Sequence, residues 1–330
     1  MIRSLDESQE SKMMEGDNDG SNDFNSNEVV VVGSCMIDFV GYAPRLPKPG
    51  ETIHGTEFVT NFGGKGANQC VAAAKLGVST TLIARVGNDS WGDKYLSNLM
   101  KNEVDTSFVF KTDGESTGIA QISVAESGEN QIVIIAGANK KLCIEDIEEA
   151  SEIIETAKLL ILQLETSVDV AVKAMRLCKG ISILNGAPFT TEYDPSLFEL
   201  PTIFCVNEHE ASQFTKLPVT NKREAEIAAS RMISLGCKSV LITLGAEGAV
   251  FAEKTSGNIF YVESPKVECV DSTGAGDAFI GALAYFLVRR KDLPMEEMVE
   301  KACVVAADSV TRKGTQPSFS DERILEKLGI

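Results

Sequence analysis

Leu159-Leu-Ile-Leu-Gln-Leu164, Ile181-Ser-Ile-Leu-Asn185, Thr202-Ile-Phe-Cys-Val206 and Ser239-Val-Leu-Ile-Thr-Leu244 are four short, largely apolar runs. Each has the length and composition of a strand buried on both faces. Helical patterns at 144–156, 167–179, 208–215 and 221–235 precede and separate them. Strands alternating with helices predict an α/β fold with a mostly parallel central sheet and helices on both faces. Working outward, Val29-Val-Val-Val-Gly33 is a further buried strand. It is followed by a helix at 66–77, a strand at 80–86 and a helix at 91–102. Towards the C-terminus come a β pair at about 248–262 and helices at 275–290 and 295–312. Two stretches, at about 38–62 and 106–136, contain only β-like segments. The second includes a hairpin, 119–124 and 131–136, joined by Glu126-Ser-Gly-Glu-Asn130. They are expected to form a small inserted sheet, a candidate lid. The folded domain is placed at 29–330, after an acidic, disordered tail at 1–28.

The composition, 43% apolar and 24% charged, is that of a globular chain. A net charge of −17 excludes non-specific binding to nucleic acid or to a membrane surface. No apolar run has the length of a transmembrane helix. Cysteines at 35, 70, 143, 178, 205, 237, 269 and 303 form no CxxC pair, and with two histidines a zinc site is not expected. Reduced thiols and an N-terminus without an apolar core place the chain in the cytoplasm, or in cytoplasm and nucleus.

Val270-Asp-Ser-Thr-Gly-Ala-Gly-Asp-Ala-Phe-Ile-Gly281 carries the strongest chemical signal. Gly274, Ala275 and Gly276 let a backbone approach a phosphate closely, and their amides at a helix start form a candidate anion hole. Asp277 follows in the first helical turn as a candidate general base. The plainer alternative is a Gly-rich turn with an aspartate favoured by the helix dipole. Asn61-Phe-Gly-Gly-Lys-Gly-Ala-Asn68 also opens a helix. It is not a Walker A loop, but Lys65 supplies charge and Asn68 both donates to and accepts from hydroxyls. Asp38 and Glu165 each follow a strand, where ligands of open parallel sheets bind. An isolated Asp there is otherwise a turn residue. Asn207 is a natural N-cap, or with Glu210 part of a magnesium–phosphate network through water. Thr243-Leu-Gly-Ala-Glu-Gly248 ends a strand as a plain turn or as the backbone lining of a nucleotide site. The cations of Thr311-Arg-Lys-Gly-Thr-Gln-Pro-Ser318 suit a helix C-terminus.

The order of Gly63–Gln69, Gln163-Leu-Glu165, Asn207 to Glu210, Thr243–Gly245 and Asp271–Asp277 resembles the ribokinase-like (PfkB) sugar-kinase family, over roughly 29–320. Within the family the pattern is nearest to members that act on ribose. The resemblance implies a ribokinase-like fold with a β-sheet lid that also makes a homodimer. The implied reaction transfers the γ-phosphoryl group of ATP to O5 of D-ribose, with Asp277 as base. It places Met36, Ile37, Asp38, Gly64, Lys65, Gly66, Ala67, Asn68 and Glu165 at the sugar. Asn207, Thr243, Leu244, Gly245, Ala246, Glu247, Gly248, Gly276 and Cys303 are implied at the nucleotide. Mg2+ is implied near Glu210 through water, and activating K+ at Asp271, Thr273, Ser309, Arg312, Gly314 and Ser318. Met36 stands where many members carry Asn, Gly186 interrupts a frequent Asn-Pro-Ala-Pro, and Cys303 replaces a frequent Asn or His. The nearest rival reading is a kinase of the same fold for another sugar or a nucleoside. An NAD-dependent dehydrogenase is opposed by the missing GxGxxG, and a non-catalytic sugar-binding protein by Asp277 behind its three small residues.

Overall fold

The computed structural model of the protein describes residues 28–191 and 194–330. Residues 1–27 of the expected tail lie outside the described residues. Glu28, the last position assigned to that tail, is buried and ion-paired with Lys158 and Arg289.

Four valines form β1 (Val29–Val32), wholly buried, as a central parallel strand must be. The chain leaves the main sheet for β2 (Met36–Ala43) and β3 (Glu57–Gly63), then returns through α1 (Lys65–Lys75) to β4 (Thr80–Gly87). α2 (Ser90–Lys101) leads to β5 (Val104–Thr112), and a second excursion makes β6 (Gly118–Ala125) and β7 (Asn130–Ile135). Next come α3 (Ile144–Glu149), α4 (Ser151–Thr156), β8 (Leu159–Leu162), α5 (Val168–Leu177), β9 (Ile181–Asn185), α6 (Ser196–Glu199) and β10 (Ile203–Asn207). The remainder is α7 (Glu208–Thr215), α8 (Lys222–Ser234), β11 (Ser239–Thr243), β12 (Gly248–Glu253), β13 (Ile259–Glu263), α9 (Ala275–Arg289), α10 (Met295–Ser309) and α11 (Arg323–Lys327).

The main sheet has nine strands in the order β13-β12-β11-β10-β9-β8-β1-β4-β5, parallel except at β12 and β13. From β1 the chain builds outward through β4 and β5, then restarts at β8 and builds the other way. The strand order therefore switches between β1 and β8, and the crevice beyond their carboxyl ends is where such sheets bind ligands. Alternation along each strand feeds two cores. Val29, Val31, Leu159 and Ile161 pack with Val71, Phe279, Leu283 and Val299 of α1, α9 and α10. Val30, Val32, Leu160 and Leu162 pack with Ala171, Phe214, Ala228 and Met232 of α5, α7 and α8. Each such large side chain contributes about 1.5–3 kcal/mol by leaving water.

The small sheet has the order β3-β2-β6-β7. The expected hairpin is present, with Ile119 opposite Ile135 and Val124 opposite Asn130. The placing of all of 106–136 in this sheet is corrected at its start, because β5 pairs in parallel with β4 as the main sheet's edge. An edge strand with one partly exposed face alternates like a hairpin strand, so its pattern does not reveal its partner. The single helix expected at 144–156 is two, parted where Ala150 opens to φ −89°, ψ 9°. The last long helix ends at Ser309, leaving 310–322 as loop and one short turn.

Candidate active site

Two helices begin at the switch point. Their axes approach closely because Gly281 of α9 lies against Ala72 of α1; an added Cβ would stand 2.4 Å from that of Ala72. Gly64 precedes α1 with φ +90°, and a side chain there would strike the backbone of Ser34 and Met36. Gly66 is equally confined, since its Cβ would come within 2.6 Å of Gly33 Cα. These contacts set the first turn of α1 on the loop that follows β1. The Lys65 amide donates to Glu165 Oε2 (2.8 Å), and the Ser34 hydroxyl donates to the same oxygen.

Asp277 sits in the first turn of α9, 8% exposed. Its Oδ2 accepts from Asn68 Nδ2 (3.0 Å) and its Oδ1 from Gln69 Nε2 (2.9 Å). Burial pushes its carboxyl above the usual range, against the pull of the Lys65 ammonium and of the Gln69 and Asn68 amides. Burial works to lower the Lys65 ammonium, but Asp277, Glu165 and Glu210 outweigh it and the net shift is upward. Asp38 is the third carboxylate beside Glu165 and Asp277; burial first, then these two charges, raise it to about 7. It lies directly on Gly63, where an added Cβ would be 2.2 Å from its Oδ2.

A cavity of about 180 Å³ joins Lys65, Asn207, Glu210, Thr243, Gly274, Ala275, Gly276 and Asp277, with Asn185, Ser272 and Ile280 also in its wall. Gly274 holds φ +80° against Thr315 and Phe319, whereas a Cβ on Gly276 would meet nothing within 4 Å. The small residues therefore differ in purpose: Gly274 answers a backbone demand and Gly276 leaves open space over the helix tip. Asn207 and Glu210 form a reciprocal capping box, Asn207 N donating to Glu210 Oε2 (2.9 Å) and Glu210 N to Asn207 Oδ1 (2.8 Å). The cap does not remove them from the cavity, which both line, so the two readings of this pair are compatible. Burial raises the Glu210 carboxyl, the Asn207 amide and Lys65 opposing it. Among the described residues no cluster of three or more His, Cys, Asp or Glu is disposed to hold an ion. A divalent ion here fits only with phosphate and water as its main ligands.

The loop residues expected around potassium are drawn together. Asp271 Oδ1 accepts from Thr273 N (3.0 Å) and Oδ2 from Gly314 N (2.9 Å), while Val310 O accepts from the amides of Val270 and Asp271. Burial would raise Asp271, but the bonds from Thr273 and Gly314 prevail and hold it below its ordinary value. An anionic carboxylate among carbonyls fits a hard cation. The Ser318 carbonyl fits less well, because the Arg312 guanidinium bonds it twice (3.0 and 2.7 Å). Ser318 would serve such an ion through its hydroxyl.

Four residues expected at the ligands, Ile37, Ala67, Leu244 and Cys303, are buried in the apolar cores. Met36 is buried at the start of β2 with its sulfur near Asn139. Gly245, Ala246 and Glu247 form one short turn. Gly248 has its own backbone reason, since a Cβ there would lie 2.0 Å from Val262 O. Gly186 is explained likewise: a Cβ would press on Phe204 and Val206. Sequence reasoning missed Gln69, Gln163, Asn185 and Gln316 as parts of the site. Gln163 left a signal, a lone amide in an apolar run that must find a partner once buried; it donates to Gln69 Oε1 (2.7 Å).

Comparison with known proteins identifies the family. The model of the pfkB family carbohydrate kinases matches residues 26–322. The chain is 45% identical to a ribokinase of Mus musculus over 294 residues, covering 88% of this chain and 91% of that one. It is 38% identical to a deoxyribokinase of Salmonella typhi over 307 residues, 92% and 99% of the two chains. The structure of Arabidopsis thaliana ribokinase complexed with ribose and ATP superposes with TM-score 0.84 at 31% identity, covering 92% of this chain and 98% of that one. A ribokinase of Giardia lamblia gives the same TM-score at 30% identity and the same coverage. With a cavity that joins a buried carboxylate to the tip of a helix, and a family model spanning nearly the whole described chain, this protein belongs to the pfkB family of carbohydrate kinases.

Proposed function

We propose that the protein transfers the γ-phosphoryl group of ATP to O5 of D-ribose. One observation carries the reading: Asp277, buried and ringed by amide donors, shares a cavity with the amides of Gly274–Gly276 and with Lys65. Asp38 and Glu165 accept hydrogen bonds from sugar hydroxyls, and Asn68 holds the acceptor end of the sugar beside the base. The O5 proton passes to the Asp277 carboxylate as O5 forms its bond to the γ-phosphorus. The bond to the β,γ-bridging oxygen breaks with its electron pair leaving on ADP. The helix-tip amides and Lys65 stabilise the charge on the transferred group, which is most of what this chemistry asks of a protein. Asn207, Thr243 and the 245–248 turn would face the nucleotide. Bound Mg2+ would neutralise phosphate charge near Glu210, and K+ would hold the Asp271 loop against 309–318.

The relatives that act on ribose, and the ribose and ATP in the Arabidopsis complex, support this substrate pair. The Salmonella relative favours 2-deoxyribose as the second reading. A homodimer through the small sheet is supported by β7, where Ile132, Val133, Ile134 and Ile135 are all exposed, and by Phe58 at 66% exposure on β3. Its eight thiols are all free, which suits the reducing cytoplasm or cytoplasm and nucleus. ADP release is to be measured with D-ribose, 2-deoxyribose, other pentoses and adenosine, with potassium or sodium. Highest kcat/KM on D-ribose supports the reading; preference for 2-deoxyribose or adenosine refutes it.

A further inference from the structure

Each oxygen of Asp277 ends a chain of side-chain amides. On one side Gln163 Nε2 donates to Gln69 Oε1 (2.7 Å), and Gln69 Nε2 donates to Asp277 Oδ1 (2.9 Å). On the other, Asn98 Nδ2 donates to Gln316 Oε1 (2.8 Å), Gln316 Nε2 to Asn68 Oδ1 (3.0 Å), and Asn68 Nδ2 to Asp277 Oδ2 (3.0 Å). The polarity is forced from the carboxylate outward. An ionised carboxylate only accepts, so Asn68 must present its NH2 group and turn its oxygen to Gln316. Gln316 must then present its own NH2 and turn its oxygen to Asn98. Every amide dipole in the chain points its positive end at the base.

We infer that Gln316 and Asn98 are positioning residues for phosphoryl transfer, forming with Asn68 an oriented amide relay that fixes the Asp277 carboxylate. Neither has a chemical reason of its own to be where it is. Gln316 is buried, its backbone oxygen held by Lys75 Nζ (2.6 Å), and its NH2 also lies 3.3 Å from the Tyr95 hydroxyl. Asn98 lies on α2, outside the cavity wall. The relay holds one carboxylate oxygen in a single orientation, so the remaining lone pairs face the acceptor hydroxyl. It also stabilises the ionised base against its burial, in parallel with Lys65 and against the like charges of Glu165 and Asp38. Reversing the far end reverses the chain: a carboxylate at position 98 draws the Gln316 NH2 outward, Asn68 follows, and its oxygen turns against Asp277. This inference rests on the proposed role of Asp277, so its test includes a readout that needs no turnover.

Asn98→Asp, Asn98→Ala, Gln316→Met and the double variant Asn98→Asp/Gln316→Met are to be compared with the wild type. The Asp277 carboxyl is titrated by infrared difference spectroscopy, its band identified by its loss in Asp277→Asn. The acid limb of kcat and KM for D-ribose are measured beside it. A lost or reversed hydrogen bond to a charge is worth about one pKa unit or more. Asn98→Asp is expected to raise the Asp277 midpoint by about one unit and lower kcat about tenfold, with KM for D-ribose also raised because the turned Asn68 amide meets the sugar. Asn98→Ala, which cuts the last link and the long contact with Asn102 Nδ2 (3.5 Å) without adding charge, should do distinctly less. In the Gln316→Met background, where the chain is broken, Asn98→Asp should have no further effect, a coupling that the double-mutant cycle reads directly. Equal effects of Asp and Ala at 98 would reduce Asn98 to a packing residue and overturn the inference. Persistence of the Asn98→Asp shift without Gln316 would assign it to charge acting through space and overturn it equally. If the wild type lacks activity on ribose, the proposed function fails, while the infrared titration still decides the relay.

Discussion

Asp38 offers a test of the sugar-side electrostatics that reads the same number in two ways. Its carboxyl is lifted by burial and by Glu165 and Asp277 from 3.8 to about 7. Between those values the folded protein keeps the proton and the unfolded chain has lost it, so this group makes stability fall as pH rises from about 4 to about 7. The full rise corresponds to a penalty on the order of 4 kcal/mol, at about 1.36 kcal/mol per unit. Asp38→Asn resembles the protonated acid in shape and carries no such penalty. Urea melts of the two proteins should coincide near pH 4 and diverge to favour the variant by that order at pH 8. On the proposed reading ribose should reverse the preference, because sugar hydroxyls donating to the ionised carboxylate would stabilise it. Binding should therefore expel up to one proton around pH 6. Wild-type Kd should tighten by up to about tenfold per unit from pH 5 to 7 and level off above. Calorimetry in two buffers of different ionisation enthalpy measures the proton count, and Asp38→Asn should bind more weakly with no pH dependence. Parallel stability curves, or a wild-type ribose affinity indifferent to pH, would refute the placement of Asp38 beside two like charges at the sugar.

Asp277→Asn should lower kcat by about 10²–10⁴, the range for a lost general base, with ribose Kd largely retained by calorimetry. Gly276→Ala should fold with an unchanged Tm, since its methyl group meets no atom within 4 Å. That methyl enters the phosphoryl space, and kcat/KM for ATP should fall about 10²-fold in a coupled assay, as for other losses at an anion hole. Asp271→Ala should abolish the difference between potassium and sodium in turnover. It should also cost about 1 kcal/mol in urea melts through the lost bond to Gly314.

Much of the sheet could be read from the chain because a parallel strand covered on both faces is an uninterrupted apolar run, as in Val29–Val32 and Leu159–Leu162. α7 was legible to the residue, since Asn207 and Glu210 spell a capping box at its start. β5 was assigned to the wrong sheet because alternation reports how many faces a strand buries, not its partner. At the site, Asp277 and Lys65 stood out because each stands beside small residues at a helix start, and the structure places both on one cavity. Asn98 and Gln316 did not. They lie 218 positions apart, and Gln316 lies 248 from Asn68. An amide in a loop carries no local mark of a partner that only folding supplies. The Cys303 and Ile37 assignments came from motif position, which fixes the backbone's location and says nothing of which way a side chain turns.

The bond from Asn68 to Asp277 closes a gap of 209 positions, and the chain reaches Gln316 later still. A polypeptide growing from its N-terminus therefore contains Asn68 long before the carboxylate that it bonds has been made. On the proposed reading, no nascent form short of residue 277 carries the base, so turnover waits for the last long helices. The same separation means that any N-terminal fragment ending before residue 277 leaves the Asn68 amide without its carboxylate.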